Sequence, residues 1–290
     1  MEKVRRIEIN TEKVLSKDFQ ILSLSDLHLT ENIGVQHLNN LINSKKIAYE
    51  NLDYILIPGD LINDTNELEE PRFKQLFLDE MAALTSNIPT MVSFGNHDQM
   101  TKAGSTEGKW LAGDKKLLEM ALRELPNVTV LKNGQPAVEV EELAFSAFSP
   151  LYSYYEGLHE SKESYERNFF ANYQDNLFAE DKFNIFLTHE PQSIIKLSKQ
   201  HGRCIQPNTD LVVSGHMHNG LLPAFACKVV KNTGLISPQK QLFPEYAQGE
   251  VELENTKFII NGPVNTRVEF PLLNQLYEPK ATVITLKKVR

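Results

Sequence analysis

Apolar runs of strand length alternate with amphipathic segments of helix length from Phe19 to Ser214. Phe19 to Ser25, Tyr54 to Ile57, Met91 to Phe94, Phe183 to Thr188 and Leu211 to Ser214 carry apolar residues on both faces, which predicts buried strands. Between them, helical spacing predicts helices over Val35 to Leu52, Glu67 to Thr85, Asp114 to Leu125 and Pro191 to Lys199. Such alternation implies parallel crossovers with helices covering a sheet. Beyond Asn219 the pattern shortens. Lys228 to Asn232, Lys257 to Asn261 and Ala281 to Leu286 are separated by Pro and Gly, which predicts a second, more antiparallel sheet. No repeat, low-complexity tract or linker interrupts the chain. The expectation is one α/β domain over 1–290, with two packed mixed β-sheets flanked by helices.

Composition narrows the chemistry. The 290 residues include 30 basic and 38 acidic side chains, a formal charge of −8. Phosphate-backbone binding draws on clustered Lys and Arg, so a nucleic-acid partner is not expected. Cys204 and Cys227 are too few for a disulfide framework or a thiolate metal cage and read as small buried hydrophobes. No apolar run reaches the roughly 20 residues that span a bilayer, and Met1 to Asn10 is charged. As written, the chain reads as cytoplasmic. An exported or membrane-tethered protein is the alternative if an anchor precedes the first strand. No dinucleotide fingerprint or P-loop is present.

Polar residues with metal-ligand chemistry follow the predicted strands. The segments are Ser25-Asp26-Leu27-His28, Gly59-Asp60, Gly95-Asn96-His97-Asp98, Thr188-His189-Glu190 and Gly215-His216-Met217-His218. Strand carboxyl ends in an open α/β sheet form one rim where loops build a crevice, so these segments should converge. Gly59, Gly95 and Gly215 would permit the sharp exit from each strand. A lone Gly-Asp after a strand is usually a turn, and a lone buried His is usually a bonded core residue. Here five of the eight histidines fall in such loops, leaving His37, His159 and His201 elsewhere.

This constellation resembles the calcineurin-like metallophosphoesterase family, whose pattern runs D-x-H, G-D, G-N-H-D/E, H and G-H-x-H in that order. The resemblance extends from near Gln20 to near Gly220. The His189-Glu190-Pro191 run and the ending at Glu278 to Leu286 look most like the bacterial YkuE-like branch. It implies a four-layer α/β/β/α sandwich and hydrolysis of phosphate esters, monoesters or small diesters, at two metals about 3.5–4 Å apart. It assigns Asp26, His28 and His218 to one metal and Asn96, His189 and His216 to the other, with Asp60 bridging them. Imidazole and carboxylate ligands without thiolate suit Mn²⁺, Fe or Zn²⁺. Two carboxylates against two divalent ions leave a local charge of about +2, which the neutral Asn96 preserves for an anionic substrate. In-line attack by a metal-bridging hydroxide, with His97 as acid toward the leaving group, is the implied mechanism. Asp98 is expected to orient an imidazole or to cap its loop.

Two stretches interrupt the core pattern and are candidate substrate caps, 99–113 with Trp110, and 149–178 with its many aromatics. Tyr165, Phe169 and Tyr173 are spaced by four, as a core-facing helix stripe would be, while stacking on a substrate is the competing reading. Lys102, Lys109 and Arg167 are the basic residues that could meet a phosphate. A metal-dependent nuclease and a catalytically silent interaction scaffold are the alternative functions. The nuclease would want a basic groove, and the scaffold would show substituted ligands.

Overall fold

The computed structural model describes residues 4–31, 34, 46–102, 110–156, 162–173, 177–223, 226, 230–238, 240–265 and 280–288, without the side chains of 110, 156 and 162–164. Strands that are apolar on both faces require cover on both sides, and two sheets supply part of it for each other. The first sheet runs β1 (Val4–Thr11), β14 (Ala281–Lys288), β2 (Phe19–Ser23), β3 (Tyr54–Pro58), β4 (Thr90–Ser93) and β7 (Val128–Val130). The second runs β12 (Gly249–Leu253), β13 (Thr256–Ile260), β11 (Leu211–Ser214), β10 (Phe183–Thr188), β9 (Leu143–Phe148) and β8 (Val138–Val140).

Alternation along each strand sorts side chains between layers. Phe19, Ile21, Tyr54 and Leu56 meet Phe145, Ile185, Leu187 and Val213 in a core between the sheets. The neighbouring residues Leu22, Ile55 and Ile57 point the other way. They pack with Phe73, Phe77 and Met81 of helix α1 (Pro71–Thr85) and Leu118 and Leu122 of α2 (Lys115–Arg123). On the far side, Phe186, Val212 and Phe258 pack with Tyr165 and Phe169 of α4 (Lys162–Asn172) and Ile194 of α5 (Pro191–His201). The order is helix, sheet, sheet, helix.

The region after Asn219 departs from expectation. β13 pairs parallel with β11 and antiparallel with β12, so it extends the second sheet rather than founding an antiparallel one. β14 returns to the first sheet, antiparallel to β2 and parallel to β1. The apolar faces of β14 fill a slot between those strands, a non-local match that turn signals do not encode. Glu67 to Thr85 is split, with a 3₁₀ turn over Thr65–Glu69 and then α1 from Pro71. Proline lacks the N–H and opens the helix where none is needed. Of Val35 to Leu52, residues 35–45 lie outside the described residues and Tyr49–Asn51 forms a 3₁₀ turn. Of Lys228 to Asn232, residues 228 and 229 lie outside and Val230 to Asn232 is not a strand.

Within 99–113, β5 (Met100–Lys102) and β6 (Trp110–Ala112) form a small antiparallel ribbon apart from both sheets. The second candidate cap contains a short helix α3 (Tyr152–Glu156) and α4. Residues 103–109, 157–161 and 174–176 of these stretches lie outside the described residues.

Candidate metal centre

The loops leaving β2, β3, β4, β10 and β11 meet at one rim. The exits of β2 and β3 run side by side, with Asp26 N–H donating to Gly59 O at 3.2 Å and His28 N–H to Asp60 O at 3.0 Å. Gly215 N–H donates to His189 O at 3.0 Å, and His216 N–H reaches Asp26 Oδ1 and Oδ2, both at 3.2 Å. These bonds hold an unusual backbone in place. Asp26, His28, Asp60, His216 and His218 all have positive φ, between 44° and 67°. Such conformations cost of order 1–3 kcal/mol each and persist where surrounding structure over-determines them.

The glycines work differently from the sequence expectation. Gly59 has φ of 105° and supplies the turn itself. Gly95 and Gly215 answer crowding instead. A Cβ on Gly95 would collide with Asp60 Oδ1, and one on Gly215 with Ser25 Oγ.

Two knots of ligand-type atoms result. In the first, His218 Nε2 lies 3.3 Å from Asp26 Oδ1 and 3.4 Å from His28 Nε2. In the second, His189 Nε2 lies 3.1 Å from Asp60 Oδ2 and 3.2 Å from His216 Nδ1. Asp60 Oδ2 also stands 3.7 Å from His28 Nε2, so one carboxylate touches both knots. Ligands at about 2.1 Å around a tetrahedral ion sit roughly 3.4 Å from one another, and these separations match that edge length. Within each of the sets Asp26–His28–His218 and Asp60–His189–His216, the ligand atoms lie within 4.8 Å of one another. His28, Asp60 and His97 form a third such set.

Outer partners fix which nitrogen faces inward. His189 Nδ1 is 2.9 Å from Pro58 O and His97 Nδ1 is 2.9 Å from Asn63 O. Each carbonyl takes an Nδ1–H and orients the ring, as groups behind metal ligands commonly do. Two polar atoms have no such partner: His28 Nδ1 and Asn96 Oδ1 are buried and make no hydrogen bond. A bare amide oxygen, on a residue whose neighbour His97 bonds Asp60 through its amide, is what a hard or borderline cation accepts. The residues fit a metal.

Electrostatics agree. Burial opposes ionisation of Asp26 and Asp60, but His218 and His189 outweigh it and hold both carboxyls below the usual range. Burial lowers His189, yet Asp60 and Asp26 push it up to about 9, and Asp26 raises His218 against the same opposition. Burial and the neighbouring His189 press His216 down to about 3, while burial and His97 hold His28 well below its ordinary value. The site thus favours the charged form at His189 and His218 and opposes it at His28 and His216.

Asp98 orients no imidazole among its described hydrogen bonds. Its oxygens accept the amides of Asp60, Leu61, Ile62 and Gly95, so it clamps together two loops that carry candidate ligands. Glu190 caps α5 by accepting from Gln192 and Ser193 amides. Tyr165, Phe169 and Tyr173 are buried in the outer core, as the helix-stripe reading expects, and so is Cys204. Arg167 is exposed on α4, and Lys109, His37, His159 and Cys227 lie outside the described residues. The sequence placed Tyr155 only among the aromatics of 149–178 that could stack on a substrate, and its ring lies 5.3 Å from that of His216. No local pattern marked it among its aromatic neighbours.

A family model described as calcineurin-like phosphoesterase matches residues 19–220. An uncharacterized metallophosphoesterase of Campylobacter jejuni is 26% identical over 222 residues, which is 77% of this chain and 50% of that protein. The chain therefore spans about half the length of this curated relative. A crystal structure of a dimetal phosphatase from Danio rerio aligns with a TM-score of 0.42 at 11% identity, over 86% of this chain and 88% of that one. No described helix is long and apolar enough to cross a membrane.

Proposed function

The chain belongs to the calcineurin-like phosphoesterase family, and we propose that it hydrolyses small phosphate esters at a dinuclear centre. One observation carries the reading: ligand atoms of Asp26, His28 and His218, and of Asp60, His189 and His216, gather in two adjoining knots. Asp26, His28 and His218 would hold one ion and Asn96, His189 and His216 the other, with Asp60 shared. Bound there, two divalent ions, Mn²⁺, Fe or Zn²⁺ by ligand type, supply water activation and a clamp on phosphoryl oxygens.

The chain's own groups do the rest. The Asp26 and Asp60 carboxylates stay ionised and fix the position of positive charge. Asn96 contributes oxygen without charge, which keeps the centre attractive to an anion. His97 is anchored through Nδ1 on Asn63 O, so the proton it gives to a leaving oxygen is carried on Nε2. The Ser25 hydroxyl is committed to Asp26 Oδ2 at 2.5 Å. Water is therefore the nucleophile in this reading, and configuration at phosphorus inverts.

We read 1–290 as one domain, a reading supported by β14 lying between β1 and β2. The ribbon β5–β6 and helices α3 and α4 are the candidate overhang on the substrate. The test is metal analysis together with hydrolysis of aryl phosphate mono- and diesters, the monoester carrying chiral labels at phosphorus. Bound metal with turnover and inversion supports the reading. Metal-loaded protein without turnover on either ester, or a trapped phosphoprotein, overturns it.

A further inference from the structure

Tyr155 sits in α3 against the second knot of the centre. Its ring centroid is 5.3 Å from that of His216 and 6.4 Å from that of His189. Its hydroxyl is buried and has no hydrogen-bond partner among the described residues. The adjacent Tyr154 shows what a structural hydroxyl looks like here. Its oxygen lies 3.1 Å from Glu190 Oε2 and 2.6 Å from Ser193 Oγ, tying α3 to α5. A buried hydroxyl without a partner carries an uncompensated loss of hydration. Phenylalanine would pack against the imidazoles equally well without that loss.

We propose that the Tyr155 hydroxyl is a substrate-binding donor, held for a phosphoryl oxygen on the His189–His216 side of the centre. The proposal rests on the phosphoesterase reading above. It also completes an asymmetry. The His97 ring packs edge-on to His28 at 4.6 Å, beside the first knot, while Tyr155 packs beside the second. One donor then serves the leaving oxygen and the other an oxygen that stays on phosphorus. The ligand class is a tetrahedral oxyanion with at least one oxygen free of metal.

The discriminating experiment compares Tyr155→Phe with Tyr154→Phe in the Mn²⁺-loaded full chain. Metal content, melting temperature, calorimetric binding of inorganic phosphate, and KM against kcat on an aryl phosphate are read for both. Tyr155→Phe should keep its metal, melt no lower than wild type, and bind phosphate about tenfold more weakly. Tyr154→Phe should melt about 2–4 °C lower, having lost partnered hydrogen bonds, and bind phosphate as wild type does. Wild-type phosphate affinity in Tyr155→Phe overturns the proposal. So does misfolding or metal loss in that variant, because the hydroxyl would then have a structural task. A metal-loaded wild type that neither binds phosphate nor turns over an ester overturns the phosphoesterase reading, and this inference with it.

Discussion

Asp98 and Asp60 grip each other's loops: Asp98 Oδ2 accepts the Asp60 amide at 2.7 Å, while Asp60 Oδ1 accepts the amide of His97, Asp98's neighbour, at 2.8 Å. The carboxylate that touches both knots is thereby held from both sides. Both Asp98 oxygens face amide donors, so Asp98→Asn turns an NH₂ toward an N–H. We expect about 2–4 kcal/mol of stability to be lost, with weaker metal binding because Asp60 moves. Denaturant unfolding with and without metal checks this. A variant of wild-type stability would show that the clamp contributes nothing.

Asn96 Oδ1 is buried and bare. Asn96→Ala should reduce metal content from a pair of ions toward a single one, while Asn96→Asp should keep the pair and bind phosphate less well because it adds a negative charge. Elemental analysis and phosphate titration read these outcomes. Chelation should destabilise wild type by roughly 3 kcal/mol if the metal was present at about a hundred times its Kd, and Asn96→Ala by less. Full occupancy in the alanine variant would remove Asn96 from the ligand set.

His97→Ala should slow esters with poor leaving groups by roughly 10²–10⁴-fold and spare those with good ones, with metal content unchanged. Rates across a series of aryl and alkyl phosphates show this as a steeper dependence on leaving-group pKa. Loss of metal would instead make His97 a ligand, a role its place in the third atom cluster allows.

Phe169 is fully buried, its ring 5.2 Å from Phe148 and 6.5 Å from Tyr165. Phe169→Ala should cost about 3–5 kcal/mol, with KM unchanged in the protein that remains folded. A raised KM at unchanged stability would restore the substrate-stacking reading of this helix.

Glu250 pairs with Arg5 and Lys257, each at 2.9 Å. Partial burial opposes its ionisation, but the two cations hold its carboxyl below the ordinary 4.5. The stabilisation is complete above that unfolded-state value and fades as pH falls through the lower folded-state one. With a side chain 38% exposed, the gain is only about 0.2–1 kcal/mol. Glu250→Gln should be less stable than wild type by that amount at neutral pH, and the difference should shrink steadily as pH falls below 4.5, as read by urea midpoints at each pH.

Much of the fold and centre was legible because its signals are local. Phe183 to Thr188 is apolar on both faces and bounded by polar residues, so its limits coincide with the strand. Asp26, Asp60, His189 and His216 each follow such a run, and a sheet brings strand ends together whatever the loop lengths. The rest depends on partners far away in the chain. β1 reads as polar alternation until β14 pairs with it, and β9 (LAFSAF) has weak contrast because Ala and Ser carry little pattern. The left-handed backbone at Asp26 and Asp60 is held by bonds between loops distant in sequence, Asp26 N–H to Gly59 O among them, which no local pattern encodes. Asp98 caps its own loop through the Gly95 amide, as one of its two expected roles has it, but its grip on the Asp60 loop was invisible because those partners are backbone amides, which every residue has.

The position of β14 has a consequence for the chain's manufacture. β1 and β2 leave the ribosome early, but the strand that belongs between them is made last of the first sheet. At a usual elongation pace of roughly 5–20 residues per second, tens of seconds pass with two facing strand edges open. Such edges invite pairing with a stranger, so nascent chains of this protein should lean on chaperones until Ala281–Lys288 slides in and shuts the gap.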